Sequence, residues 1–436
     1  MTFNTKKLNA IFSEKNIMYF IGFAAFCFYL LLAYSVPFDF FNHDLGGLNV
    51  KRGHMGYFWH IWENCSLPVF SIDPVTTESY YNPPLHYILG ALWIRISLFF
   101  TDSVAKGFEW LQVLTSIYMG IALIFVYKIL FLLKIKHKIL CWSFICFHPM
   151  MFIMSSIINN DGLAFLMMTI VFYYGLKWFY NPTFKTMIKA SIFIGLALMS
   201  KFGTVVILGV LACIFASRFL KDKEKRKSYI YQIIASALIV LPLGGWYYGY
   251  AYFKWNTPIN YVQGLKDPKA NLGAKYTLIE RFTHNEYSDF YINLKKDRNM
   301  LALGIKTSLF DEQNYSNNKI LNTIAGGMFY MSVFFFAIIC FNMLSYFLYC
   351  PFSKFKTPNF VLNFTIFLLL SSFVYFNFWF PHPFTANFRY IPLFFICAIC
   401  LWDKTIRDKR LLFYLPSGIC FFSFVFYIVF FMDKLL

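Results

Sequence analysis

Apolar runs of about 17 residues or more recur along the whole chain, and this feature removes most conceivable folds. Each run is long enough to cross roughly 30 Å of hydrocarbon as a helix. Lipid offers no hydrogen bonds to an open strand edge, and the runs are too continuous for the alternation of a barrel strand. They must be helices. Composition agrees: 59% of residues are hydrophobic, 14% are charged and the mean hydropathy is +0.55. A soluble globular fold is excluded. The fold class is an all-α polytopic membrane protein.

The net charge of +18 (39 basic minus 21 acidic residues) would point to nucleic acid in a soluble chain. Here the basic residues sit in short loops between apolar runs: Lys6–Lys7, Lys134–Lys138, Lys221–Lys227, Lys354 with Lys356, and Lys404 to Arg410. That placement is the positive-inside pattern, and it argues against a nucleic-acid partner. The ten cysteines form no framework; Cys397 and Cys400 fall in an apolar run as small packing residues rather than a redox pair. The first run, at about 17–38, is too long for a signal h-region and ends without a small-residue cleavage motif. It reads as a retained anchor with a cytoplasmic start.

Orientation follows from the lysines. Residues 39–107 form a large first external loop, and spans are expected at about 17–38, 108–133, 139–157, 162–179, 187–200, 203–219, 229–251, 321–349, 359–379, 387–402 and 411–432. Within the first loop, Met55, Phe58, Trp59 and Trp62 recur at near-helical spacing, which predicts an interfacial helix. Pro83 to Phe100 is just long enough to cross, but crossing would turn the Lys134–Lys138 cluster outward, so it reads as a second juxtamembrane helix. Residues 1–252 form one transmembrane module, 253–320 a small external subdomain, and 321–436 the C-terminal helices.

Polar groups at membrane depth on the external side are few: Asp44, the run Asn159-Asn160-Asp161, Lys201, His382, Arg389 and Tyr390. An ionisable residue costs roughly 2.5–3.5 kcal/mol at a helix centre, so such groups are kept for function or paired with one another. Two carboxylates and two cations at one face suit glycosyl transfer from a lipid-phosphate sugar. A desolvated carboxylate can serve as general base, and Lys and Arg can stabilise a departing phosphate. Two buried salt bridges tying spans together are the structural alternative. A Gly-rich phosphate loop is absent from the sequence, which disfavours a sugar-nucleotide donor.

These residues carry a resemblance. Asp44 shortly after the first span, then Ser66-Leu67-Pro68 and Asn82-Pro83-Pro84-Leu85-His86-Tyr87, resembles the first external loop of the GT-C superfamily. Within it, the chain is most similar to the bacterial family of protein O-mannosyltransferases and lipid A aminoarabinose transferases. The resemblance implies a GT-C fold of about eleven transmembrane helices, with Asp44 as catalytic base and a juxtamembrane helix opening at Pro-Pro-Leu. It further implies that Asn160-Asp161 supplies a second aspartate near the active site. Met199-Ser200-Lys201 resembles a lysine-bearing turn that contacts the lipid phosphate, and Phe388-Arg389-Tyr390 with Pro392 a late arginine-tyrosine motif. Two positions depart from the pattern: Leu45 follows the aspartate where an acidic residue is common, and Trp246-Tyr247-Tyr248-Gly249 stands where relatives often have an Arg-Asn pair.

The expected site is therefore Asp44 as base, with Asp161, Lys201, Arg389, Tyr390, His43, Glu78 and His86 as substrate-binding residues. The expected partners are a polyprenyl-phosphate sugar donor, membrane lipids and an acceptor that is a glycan, lipid or protein. His43, His54, His60 and His86 share the first loop with Asp44, but no i, i+4 pair occurs among them. Packing or substrate hydrogen bonding is therefore favoured over a divalent metal, and no cofactor is expected. Trp59, Trp62, Trp246 and Trp255 read as interfacial anchors before sugar-stacking platforms. The competing functions are a flippase or transporter, or a polymerase of lipid-linked surface polysaccharide. The first would show inverted repeats and midplane charges; the second, an arginine-rich late loop. The expected location is a bacterial cytoplasmic membrane, with the site facing outward.

Overall fold

A computed structural model describes residues 13–41, 45–46, 52–70, 79–259, 261, 271–293, 296–349 and 357–435, and every regular element among them is helical. Among the described residues, eight helices are long and apolar enough to cross a membrane: Glu14–Ser35, Val104–Leu132, Asp161–Tyr180, Phe202–Lys221, Lys223–Trp255, Lys319–Tyr349, Pro358–Trp379 and Lys409–Asp433. Two bent pairs, Lys138–Phe147 with Pro149–Ser156 and Pro383–Tyr390 with Leu393–Thr405, bring the number to ten if each is one crossing. The short span expected at 187–200 is the 17-residue helix Phe184–Ser200, which opens with Lys185 and Lys189 and is not among the ten. The protein is thus a multi-pass helical membrane protein.

Breaks in these helices have local causes. Pro149 lacks an N–H and cannot sit inside the expected straight span at 139–157, so the chain bends there by 45°. The His148 ring restarts the helix by accepting from the Met150 N–H at 3.2 Å. In the long Lys223–Trp255 span, Pro242 falls in a single π-helical turn, Leu241–Gly245. There Gly244 lies so close to the neighbouring helix that a Cβ would come within 2.7 Å of the Gly195 carbonyl oxygen.

The described part of the first loop contains helices Gly53–Asn64 and Leu85–Ser97, and neither qualifies as a span. Leu85–Ser97 buries His86, Tyr87, Gly90, Ala91, Ile94 and Ser97 and exposes Ile88, Leu92 and Ile96. That apolar outer stripe suits a helix lying in the interface. The stretch 253–320 contains an element its hydrophilic sequence had hidden. Helix Met300–Phe310 has ten of its eleven residues buried and packs on Pro149–Ser156 and Lys319–Tyr349. Its Lys306 is fully buried and pairs with Asp297 at 2.8 Å.

At the opposite end of the bundle, the buried Asp403 carboxylate accepts from the backbone N–H groups of Lys136 and His137, at 2.9 and 3.0 Å. Lys404 Nζ donates to the Leu133 carbonyl at 3.0 Å. Between them Lys134 takes a left-handed conformation, φ 53°, to close the helix before it.

Candidate functional site

The site is built where three chain breaks meet. Asn159 Oδ1 accepts from the Asp161 N–H at 2.9 Å, a tight turn that starts helix Asp161–Tyr180. Asn160 Nδ2 donates to the Ser200 carbonyl at 2.9 Å, which ties this turn to the end of helix Phe184–Ser200. Lys201 follows in an extended conformation, its backbone held by Thr204. Arg389 arrives on the one-turn 3₁₀ helix Phe388–Tyr390, capped by Asn387.

The two cations share one carboxylate. Asp161 Oδ1 pairs with Lys201 Nζ, and Asp161 Oδ2 lies 3.5 Å from Arg389 Nε. Lys201 Nζ also stands 4.6 Å from the centre of the Tyr390 ring. Asp161 and Arg389 are 3% and 7% exposed, whereas the Lys201 side chain is 23% exposed and forms the open side of the cluster. Arg389 Nη1 has no hydrogen-bond partner, so the guanidinium keeps donor capacity beyond its ion pair.

His86 joins through the turn before Asp161. Its Nε2 stands 2.6 Å from the Ile158 carbonyl oxygen. A carbonyl only accepts, so Nε2 carries the proton and Nδ1 is left a buried acceptor without a partner. His54 bonds through Nδ1 to the Tyr87 hydroxyl at 2.7 Å. Both rings lie on the two loop helices outside the candidate spans. Burial pulls His86 down to about 4, and burial followed by the charge of His86 pulls His54 down to about 3. Both are neutral at pH 7.

Tyrosines fix the Asn82-Pro83-Pro84 turn from two directions. Tyr57 stacks on Tyr87 at 3.8 Å and donates to the Asn82 carbonyl at 3.3 Å. Tyr247 donates to the Tyr80 carbonyl at 3.3 Å, and Tyr248 to the Leu198 carbonyl at 2.6 Å. The run Trp246-Tyr247-Tyr248-Gly249 therefore ties the long span to the first loop through Tyr247 and to helix Phe184–Ser200 through Tyr248.

Of the residues singled out from sequence, Asp161, Lys201, Arg389 and Tyr390 come together, and His86 meets them through Ile158. Asp44, His43 and Glu78 lie outside the described residues. The neighbouring Leu45 is buried and its carbonyl accepts from the Met55 N–H at 2.8 Å. His382 caps the turn Pro383–Thr385. Sequence reasoning missed Asp311 and Glu312, whose carboxylates lie within electrostatic reach of Arg389, and Asn387; His54 and Tyr87, named in the sequence but left out of the expected site, bond to each other beside it. Asp311 gave no signal because it falls in the stretch read as an external subdomain. Among the described residues, no three His, Cys, Asp or Glu side chains are grouped to hold a metal ion.

Fold and site together define a polytopic helical membrane protein with a buried, carboxylate-centred ionic cluster where several helix ends converge. The sequence matches no family model and no curated protein.

Proposed function

We propose that this protein is a membrane glycosyltransferase of the GT-C type. It transfers a sugar from a polyprenyl-phosphate donor to a glycan, lipid or protein acceptor at the external face of a bacterial cytoplasmic membrane. One observation supports this reading above the rest. Asp161, Lys201, Arg389 and Tyr390, chosen from three distant parts of the sequence for this chemistry, share a single cluster.

In the proposed reaction, Asp44 takes the proton from the acceptor hydroxyl as its oxygen attacks the anomeric carbon. The bond from that carbon to the phosphate oxygen breaks, and the lipid phosphate leaves with the electron pair. Lys201 and Arg389 balance the leaving charge, Lys201 from the open side and Arg389 with its spare N–H donors. Before donor binds, Asp161 keeps the two cations from repelling one another and holds them in place. His86 and His54 are neutral hydrogen-bonding groups behind the cluster.

The decisive variant is Asp44→Asn, assayed with purified protein and with envelope glycans analysed by mass spectrometry. It should stay folded and lose about 10²–10⁴-fold in transfer rate. Near-normal transfer would remove Asp44 from the role. The pairing of both cations with Asp161 favours one competing reading, a purely structural ionic tie between helix ends. On that reading Lys201→Ala lowers thermal stability and leaves donor dependence intact. On the enzymatic reading Lys201→Ala raises KM for donor or lowers kcat, in a way not additive with Arg389→Gln.

A further inference from the structure

The C-terminal half of the buried helix Met300–Phe310 presents Gly304 and Thr307, and just past its end Asp311, at spacings of three and four residues that share one helical face. That face receives the turn carrying Arg389. A Cβ on Gly304 would meet the Phe388 ring at 2.7 Å, so the glycine lets this ring seat against the helix. Thr307 Oγ1 accepts from the Phe388 N–H at 3.2 Å. Asn387 Nδ2 donates to Asp311 Oδ1 at 3.1 Å, and Asn387 Oδ1 in turn accepts from the Arg389 N–H at 3.0 Å.

Asp311 is an unusual residue to find there. It is 1% exposed, and its backbone has φ 52° and ψ −130°, a region in which only glycine is ordinarily at ease. A carboxylate kept in a conformation that glycine would adopt without strain is kept for what its oxygens do. Its oxygen here orients the amide of Asn387, and that amide caps the turn bearing Arg389. We infer that Asp311 is a positioning residue that, through Asn387, fixes the Arg389 guanidinium beside Asp161 and Lys201. This rests on the proposed donor-phosphate role for Arg389 only where ligand is concerned; the relay through Asn387 stands on the hydrogen bonds alone.

Asp311→Gly tests this directly, because glycine relieves the backbone and removes the carboxylate together. Two readouts are taken on the full-length protein in detergent: hydrogen exchange of peptides covering 387–391, and binding of undecaprenyl phosphate. The variant should keep or raise its thermal midpoint, while amides in 387–391 exchange about tenfold faster. Binding of undecaprenyl phosphate should weaken by about 10- to 100-fold. Asp311→Asn, which has the shape of aspartate, carries the same backbone strain and still offers Asn387 an acceptor, should restore most of the protection. If Asp311→Gly does not fold, Asn387→Ala, which cuts the relay at its next link, should give the same two changes. Unchanged exchange in 387–391 overturns the relay, whatever happens to binding. Faster exchange with unchanged binding overturns the positioning of a ligand-binding arginine. If the parent protein itself does not bind undecaprenyl phosphate, the proposed donor class falls, and the exchange data alone uphold or overturn the relay.

Discussion

Asp161→Asn should be among the most destabilising single substitutions in the molecule. The amide keeps the shape of the carboxylate and removes the counter-charge for two cations at once. Arg389 is 7% exposed and cannot reach water, so it loses its ion-pair partner and keeps only the longer-range charges of Asp311 and Glu312, a change that costs up to about 3–5 kcal/mol. Lys201, 23% exposed, can turn toward solvent, so its own loss adds at most about 1 kcal/mol. A change of 1 kcal/mol moves Tm by about 2–4 °C in a domain of 150–250 residues, and by less in a longer chain. The expected drop is therefore on the order of 5–10 °C, followed by tryptophan fluorescence during heating in a mild detergent. The double variant Asp161→Asn with Arg389→Gln should be more stable than the sum of the single losses, by about 1–3 kcal/mol, because the second change removes the stranded charge. A drop below about 2 °C in Asp161→Asn, or strict additivity in the cycle, would refute the idea that this carboxylate holds the cluster together.

Other expectations follow from the same structure. Gly304→Ala should cost about 1–3 kcal/mol, read as a lower denaturation midpoint, because the Phe388 ring it meets is buried among other phenylalanines. Lys134→Gly should stabilise by about 1 kcal/mol or leave stability unchanged, since glycine adopts the left-handed conformation freely. For His54 and His86 the folded values lie below the ordinary 6.5, so between about pH 6.5 and 4 the unfolded chain binds protons that the folded protein refuses. Stability should be independent of these rings above pH 6.5 and fall as the pH drops below it. His54→Gln should flatten that part of a Tm-against-pH curve; an identical curve would count against the assignment. A cysteine placed at Ser103 in an otherwise cysteine-free protein should react with an impermeant reagent applied from outside; reaction from the cytoplasmic side alone would mean that the segment 83–100 crosses.

Much of the fold was legible because lipid makes the physics simple: an apolar run of sufficient length has to be a helix. The ends of Asp161–Tyr180 and Pro358–Trp379 fall within a residue of the sequence estimate at 162–179 and 359–379. What hydropathy could not reveal was helix Met300–Phe310. It lies in a polar stretch, is too short to span, and is buried by contact with other helices rather than by lipid. The cluster around Asp161 was legible residue by residue, since ionisable groups at membrane depth are few. Ion pairing was open as an alternative, but the sharing of one carboxylate by both cations was not legible, because Lys201 and Arg389 meet Asp161 only after three distant breaks converge. The role of Tyr247 and Tyr248 was illegible for another reason: their neighbours Trp246 and Phe253 face outward, and nothing in an aromatic run says which rings turn inward.

The π-helical turn at Leu241–Gly245 has a consequence for those tyrosines. A π turn holds one more residue than the α turn it replaces, so everything after it is rotated about its axis by roughly 100° relative to an unbroken helix. Up to that point Lys223–Trp255 is mostly a lipid-facing rod; beyond it, the same rod delivers two hydroxyls to the carbonyls of Tyr80 and Leu198. The inserted residue thus works as a phase shifter. Deleting a single residue from 241–245 would leave composition and hydropathy almost untouched, yet swing Tyr247 away from the first loop and Tyr248 away from helix Phe184–Ser200. At this position the chemistry reaching the site is set by a count of residues as much as by their identity.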